Sequence, residues 1–225
     1  MNDPDQDVTT ANAPVIDIIN PNSNTVVTAG LDSALNDLRF RHGPAIRCHT
    51  LEEGPFGIES QVDSDSVVMP LVHFVKTHSD SNAFIIACYS DPGLDACRSV
   101  TDAPVLGIQE AGVLTAMSLG DRFGVLAIAK PSVDRHRRYL RRMGVINRLA
   151  GERPLELTVD ESARGENTFS RLVEVGGQLI DEDGADVLIL GCAGMAVHRE
   201  PLEQELGRPV IEPTRAAVGM VMARV

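Results

Sequence analysis

The chain lacks any apolar run near the roughly 18 residues needed to cross a bilayer as a helix. It also lacks a CxxC pair and any surplus of positive charge. Its formal net charge is −12 over 225 residues, whereas nucleic acids and anionic membranes bind clustered positive surface, so neither is expected as a partner. The plain meaning of that charge is solubility. Four cysteines, Cys48, Cys88, Cys97 and Cys192, are too few for a disulfide framework. They do not combine with the histidines at zinc-ligand spacing, so no metal is expected either. They are core residues or reactive thiols. The opening stretch MNDPDQDVTTANAP is acidic and polar, without the basic and apolar regions of an export signal. A cytoplasmic protein with a disordered lead-in over residues 1–13 is the expectation.

Hydrophobic content of 43% and charged content of 23% suit a soluble domain with a filled core. Apolar runs alternate with segments of helical period, the signature of parallel βαβ architecture. Strands are expected at 14–19, 45–51, 82–88, 104–108, 123–129, 155–159, 186–192 and 209–212. Helices are expected near 24–39, 61–78, 93–100, 109–120, 132–142, 166–183, 199–206 and 214–224. Asn24 or Thr25 can cap the first helix, and Gly184 can close the one at 166–183.

The chain also repeats itself. AFIIAC ends on Cys88 and DVLILGC on Cys192, and each then breaks into a loop. With the two cysteines aligned, PVLGIQEAGVLTAM (104–117) falls, after a shift of one residue, on PVIEPTRAAVGMVM (209–222). VIDIINPNS (15–23) matches VLAIAKPS (125–132). This predicts an α/β fold of two pseudo-symmetric parallel-sheet lobes with the active site in the cleft between them. Residues 14–107 plus 208–225 are assigned to one lobe and residues 108–207 to the other. Ligands of open parallel sheets sit beyond the carboxyl ends of the strands, so Cys88 and Cys192 are expected to face one cleft from opposite sides.

Two opposed thiols suit inversion of a carbon stereocentre. One thiolate removes a proton from one face, and the other thiol returns one to the opposite face. A free thiol titrates near about 8.5, and helix N-termini or backbone amides lower that value. The loops CYSDPGLDA and CAGMA are expected to supply such amides, which would also hold a developing enolate oxygen. Against this, a single buried cysteine is commonly a small hydrophobe; the matched pair is what favours chemistry. Cys48 and Cys97 have no repeat counterpart and are assigned structural roles.

These segments resemble the aspartate/glutamate/hydantoin racemase superfamily, and within it the hydantoin and allantoin racemase branch. INPNSN (19–24) is similar to that branch's opening signature, ACYSDPGLDACR (87–98) to its first cysteine loop, PVLGIQEA (104–111) to its central segment, and LGCAGMA (190–196) to its second cysteine loop. The resemblance implies a racemase of a 5-substituted hydantoin, allantoin or a related ureide. It further implies no cofactor, a two-base mechanism through Cys88 and Cys192, a small-molecule substrate and a homo-oligomer. Amino-acid racemases of the superfamily carry Asn-Thr after the first cysteine and Thr after the second; here stand Tyr89-Ser90 and Ala193-Gly194, which fits a cyclic ureide. Arylmalonate decarboxylases keep only the second cysteine, whereas maleate-type isomerases keep both. The alternatives are therefore a cysteine-dependent cis–trans isomerase or carbon-acid lyase acting on a dicarboxylate, an amino-acid racemase, and a two-lobe binding module without chemistry. Lys130 and the EPT turn (212–214) depart from the branch and are expected near the cleft mouth.

The substrate-binding set is Asn20, Tyr89, Ser90, Ser132, Ala193, Gly194 and Met195. Asn20 fits either substrate orientation or a turn cap, and Ser132 holds the repeat-equivalent loop. Asp91 is expected to cap the helix at Pro92-Gly93. Glu110 and Glu212 read as capping or solvated groups, with cleft lining as the alternative. The basic run Arg135 to Arg142 reads as an exposed helix face, with recognition of an anionic substrate arm as the alternative. His136 has no partner visible in the sequence. His198, six residues past Cys192, is a candidate to tune it.

Overall fold

Apolar runs without polar alternation become inner strands, because a parallel strand covered by helices on both faces has no solvent side. The computed structural model describes residues 13–165 and 167–225. Its strands are β1 (Val15–Asn20), β2 (Ala45–Thr50), β3 (Ala83–Ile86), β4 (Val105–Gly107), β5 (Phe123–Ala127), β6 (Leu149–Pro154), β7 (Val187–Gly191) and β8 (Val210–Ile211). The α-helices are α1 (Thr25–Ala34), α2 (Gln61–Ser66), α3 (Val68–Thr77), α4 (Leu94–Arg98), α5 (Ile108–Leu119), α6 (Lys130–Met143), α7 (Val159–Arg164), α8 (Thr168–Asp181), α9 (Arg199–Leu206) and α10 (Pro213–Met222). Among the described residues no helix is long and apolar enough to cross a membrane. The lead-in over residues 1–13 lies, except for residue 13, outside the described residues.

Two parallel four-stranded sheets share one topology. The first runs β2-β1-β3-β4 and the second β6-β5-β7-β8, so the repeat in the sequence is a repeat in space. In each sheet the strand order reverses between the two inner strands, β1/β3 and β5/β7. The crevice at the carboxyl ends of such a pair is where ligands sit. The inner strands β3, β5 and β7 are buried throughout. One hydrophobic cluster joins Ile16, Ile18 and Ile85 of the first sheet to Val125, Leu188 and Ile189 of the second. A polar exception is Asp17 on β1, fully buried, which accepts from Arg47 Nε at 2.6 Å and Nη2 at 2.7 Å, from His49 at 2.8 Å and from Ser81. Burial pushes that carboxyl up, but His49, Arg47 and Ser81 outweigh it and hold the group well below the usual carboxylate range.

The helices exchange sides. α5 follows β4 of the first sheet yet packs on β7 of the second, whereas α10 follows β8 of the second and reaches β3 and β4 of the first. The two helices also pack on each other, and Gly112 permits it, since a Cβ there would lie 3.0 Å from Pro213 Cβ. The division at residue 208 therefore shifts. β8 pairs with β7 in the second sheet, and only α10 returns to the first.

Several boundaries differ from the sequence reading for identifiable reasons. The strand expected at 155–159 lies earlier, at β6, an edge strand whose sequence LAGERP carries no apolar run. Leu155 and Leu157 continue its hydrogen bonding to the Ala127 and Ile128 carbonyls at 2.8 and 2.9 Å. Thr158 and Glu161 then form a capping box that starts α7, a helix the sequence reading omitted. The helix expected over 61–78 is two, broken at Val67, because Pro70 has no N–H to continue the ladder back to Ser66.

Candidate active site

Cys88 follows β3 by two residues and Cys192 follows β7 by one. Both therefore emerge at the switch points of their sheets. They line one cavity, together with Asn22, Val27 and Ile58 from the first half and Ile128, Ser132 and Val159 from the second. Counted out to its open mouth, its atom-free space is about 380 Å³. The thiols are near enough for a charge on Cys192 to push the Cys88 pKa up.

The Cys88 loop is a tight turn: the Ser90 and Asp91 amides both donate to the Cys88 carbonyl, at 2.7 and 3.0 Å. Those amides, expected to lower the thiol pKa and to hold an enolate oxygen, are thus engaged within the loop, where the Ser90 amide does pull the Cys88 thiol down. Asp91 adopts a left-handed backbone (φ 44°) and is buried. It caps α5, not the helix that follows it in sequence: Oδ1 accepts the Gln109 amide at 2.8 Å and Oδ2 the Glu110 amide at 2.9 Å. Burial pushes its carboxyl up to about 7 against those two donations. Gly107 makes room, since a Cβ there would fall well inside 3.0 Å of the Asp91 carboxyl atoms. The catalytic candidate is thereby tied to a twelve-residue helix.

Cys192 begins a 3-10 helix over Ala193–His198. The Met195 amide is taken by the Cys192 carbonyl at 3.2 Å. Ser162 Oγ lies 3.6 Å from Cys192 Sγ and also donates to the Val159 carbonyl at 2.7 Å. Burial pushes the Cys192 thiol up, while the Ser162 hydroxyl and the Gly194 amide pull it down. Burial likewise pushes the Cys88 thiol up to about 12, against the pull of the Arg135 guanidinium. The expectation of acidified thiols is not met here; desolvation of the thiolates outweighs the nearby donors.

Helix α6 supplies a wall of which the sequence reading named Ser132 and, as an alternative to an exposed face, the run from Arg135. Its buried stripe is Ser132, Arg135, His136 and Leu140, at helical i, i+3, i+4 and i+8 spacing. The run assigned to an exposed face thus turns its first basic residues inward. Arg135 Nε donates to Ser90 Oγ at 2.8 Å and Nη2 to Ser132 Oγ at 3.3 Å. His136 Nδ1 lies 2.6 Å from Oε1 of Glu152, both buried. The Tyr89 ring meets His136 edge-on at 5.0 Å. Among the described residues, Tyr89 Oη, Gln109 Oε1 and Glu152 Oε2 are buried without a hydrogen-bond partner.

Of the substrate-binding set, Tyr89, Ser90, Ser132 and Ala193 border the cavity, while Asn20, Gly194 and Met195 do not. Asn20 acts through its neighbours. Its Nδ2 donates to Asn22 Oδ1, the Asn24 carbonyl and Thr28 Oγ1 at 3.0, 3.2 and 3.0 Å, fixing the turn that presents Asn22. Gly194 carries its amide toward Cys192, and Met195 is core. Lys130 is exposed at the start of α6, away from the cavity wall. Glu212 caps α10 through the Thr214 and Arg215 amides at 2.9 and 2.6 Å and, like buried Thr214, stays outside the cavity. Glu110 accepts from Arg98 at 2.6 Å. His198 packs near Phe169 instead of bordering the cavity. Cys48 and Cys97 also lie off the wall, with thiols pushed up by burial to about 12 and about 11.

Comparison with known proteins agrees with the fold. The family model described as Asp/Glu/Hydantoin racemase matches residues 16–221. A hydantoin racemase of Paenarthrobacter aurescens is 34% identical over 205 residues, covering 89% of this chain and 86% of its own. Among solved structures, the allantoin racemase from Klebsiella pneumoniae superposes with a TM-score of 0.89 at 27% identity, covering 94% of this chain and 87% of that one. The allantoin racemase from Pseudomonas fluorescens gives 0.87 at 26% identity, covering 93% and 89%. At 21% identity, an arylmalonate decarboxylase variant shares the fold alone, with a TM-score of 0.69 over 94% of this chain and 92% of that one. The chain belongs to the Asp/Glu/hydantoin racemase family and is an isomerase of the racemase class.

Proposed function

We propose that the chain racemises a 5-substituted hydantoin, allantoin or a related ureide through Cys88 and Cys192, without a cofactor. The observation that carries this reading is the presence of both thiols on the wall of one cavity, each at the switch point of its own sheet. Relatives described as hydantoin and allantoin racemases support the substrate class. The C5–H of such a ring is acidified by the adjacent carbonyl. A thiolate takes that proton, so an S–H bond forms as the C–H bond breaks, and the electron pair passes to the carbonyl oxygen. The opposite thiol then gives its proton to the other face, which restores the carbonyl and leaves the second sulfur as thiolate. One proton in and one proton out balance the step. Arg135 favours the thiolate on Cys88, and the Gly194 amide favours it on Cys192, joined by Ser162 when its one proton turns from the Val159 carbonyl to the sulfur. Each direction therefore has its own stabilising group.

A single-enantiomer substrate in deuterated water tests this. Racemisation must bring deuterium to C5, and loss of optical activity without deuterium uptake would contradict it. The reading also carries a cytoplasmic setting and a homo-oligomeric assembly, tested by fractionation and by light scattering. One observation favours the alternative of a dicarboxylate isomerase or lyase: Arg135 lies in the cavity without a carboxylate partner among the described residues. Two carboxylates call for two cations, however, and Arg135 is the one Lys or Arg among the lining residues. Covalent trapping of a substrate on either cysteine would support that alternative.

A further inference from the structure

Arg135 is the cavity group that the racemisation scheme leaves with unused capacity. Its side chain enters a wall that holds Val27, Ile58, Ile128 and Val159 beside the two cysteines, Tyr89 and His136, and the residue is only 8% exposed. Buried guanidinium groups are ordinarily paired with carboxylates. Among the described residues none lies within 4 Å of this one, although thirteen guanidinium–carboxylate bridges form elsewhere. Its partners are two neutral hydroxyls, Ser90 at 2.8 Å and Ser132 at 3.3 Å. These use one N–H of Nε and one of Nη2, and three of the five guanidinium donors have no acceptor among the described residues. The two serines come from different elements, the Cys88 loop and the first turn of α6, so the plane of the fork is set before anything binds. A positive, oriented group without a direct carboxylate contact thus stands in the cavity, with the charges of Asp63 and Glu152 acting on it from beyond 4 Å.

We propose that Arg135 selects substrates whose C5 substituent carries an anionic group, so that the preferred ligands are hydantoins or ureides with a carboxylate arm. The inference rests on the racemase reading and narrows it to a substrate class. A carboxylate fits the planar fork in a bidentate manner, which an isosteric neutral amide cannot reproduce. A single arm also matches a single cation. Support of the Cys88 thiolate alone would make Arg135 matter equally for every substrate, so preference between substrates is the quantity that decides.

The test uses a matched pair, 5-(2-carboxyethyl)hydantoin and 5-(2-carbamoylethyl)hydantoin, with 5-isobutylhydantoin as a third substrate, all followed by polarimetry. The wild-type chain should favour the acid over its amide by roughly 10- to 100-fold in kcat/KM, the size of a charge-assisted contact. Arg135→Gln should lower that ratio at least tenfold, chiefly through KM, and Arg135→Lys should recover part of it. Equal kcat/KM for acid and amide in the wild type would overturn the assignment without recourse to any variant. An unchanged acid-to-amide ratio in a folded Arg135→Gln protein would also overturn it, leaving Arg135 to serve Cys88 alone. If no hydantoin of the three and no allantoin is racemised, the underlying racemase reading has failed. Racemisation of the isobutyl compound without preference for the acid sinks only the present inference.

Discussion

Gly107→Ala isolates the contact that holds the Cys88 loop. The glycine has an ordinary backbone conformation (φ −93°), so alanine brings no backbone strain, and the effect comes from its Cβ meeting the Asp91 carboxyl. That carboxyl must move, and moving it releases the Gln109 and Glu110 amides at the start of α5. Each charge-assisted bond is worth about 1.5–3 kcal/mol. Because Asp91 is pushed up to about 7 and is only partly ionised at neutrality, the lower end applies, giving about 3 kcal/mol for the pair. In a chain of this size that lowers Tm by about 6–12 °C. Urea unfolding should show a reduced midpoint with an unchanged slope, and racemase activity should fall because the Cys88 turn is no longer pinned. The decisive form is a double-mutant cycle. In an Asp91→Ala background the carboxyl is gone, so adding Gly107→Ala should change stability by less than about 0.5 kcal/mol. Additive losses in the double variant would refute the reasoning.

Further outcomes follow from other groups. Both thiols are raised by burial, Cys88 to about 12; between pH 7 and 9 the thiolate is a minor species, so kcat/KM should climb about tenfold per pH unit, and a plateau reached below pH 7 would contradict this. Tyr89 Oη is buried without a partner among the described residues, so Tyr89→Phe should be neutral or stabilise by about 1 kcal/mol in thermal unfolding; a clear loss of stability would reveal a hidden partner. Asp17 is held below its unfolded value, so its stabilisation is present above about pH 4 and is lost as pH falls below that. Asp17→Asn should cost about 3 kcal/mol by urea titration at pH 7, the lower end for a broken buried pair because Arg47 is partly exposed. A difference that persists undiminished at pH 2 would argue against the ion pairing.

What the sequence made legible follows its physics. Inner strands announce themselves as unbroken apolar runs, and the doubled cysteine ends expose the pseudo-symmetry directly. Edge strand β6 stays hidden because LAGERP is half-exposed and carries its charges in the strand itself. The wall formed by α6 is legible only in part, for a different reason. Its inward stripe is polar, so a search for apolar residues at helical spacing assigns Arg135 and His136 to the surface; their partners Ser90 and Glu152 lie 45 and 16 residues away. Asp91 shows the same limit: a capping residue is sought next to the helix it precedes, whereas this one caps a helix seventeen residues on. Ser132, three residues before Arg135, was the available clue to the inward face.

The most direct measurement is proton exchange by Cys88→Ser and Cys192→Ser, each supplied with one pure enantiomer at a time in deuterated water. Neither variant should interconvert the enantiomers. Each should still wash out the C5 proton of one hand only, with retention, and the two variants should act on opposite hands. Racemisation surviving in either variant, or exchange of the same hand by both, would contradict a pair of sulfurs working on opposite faces of one carbon.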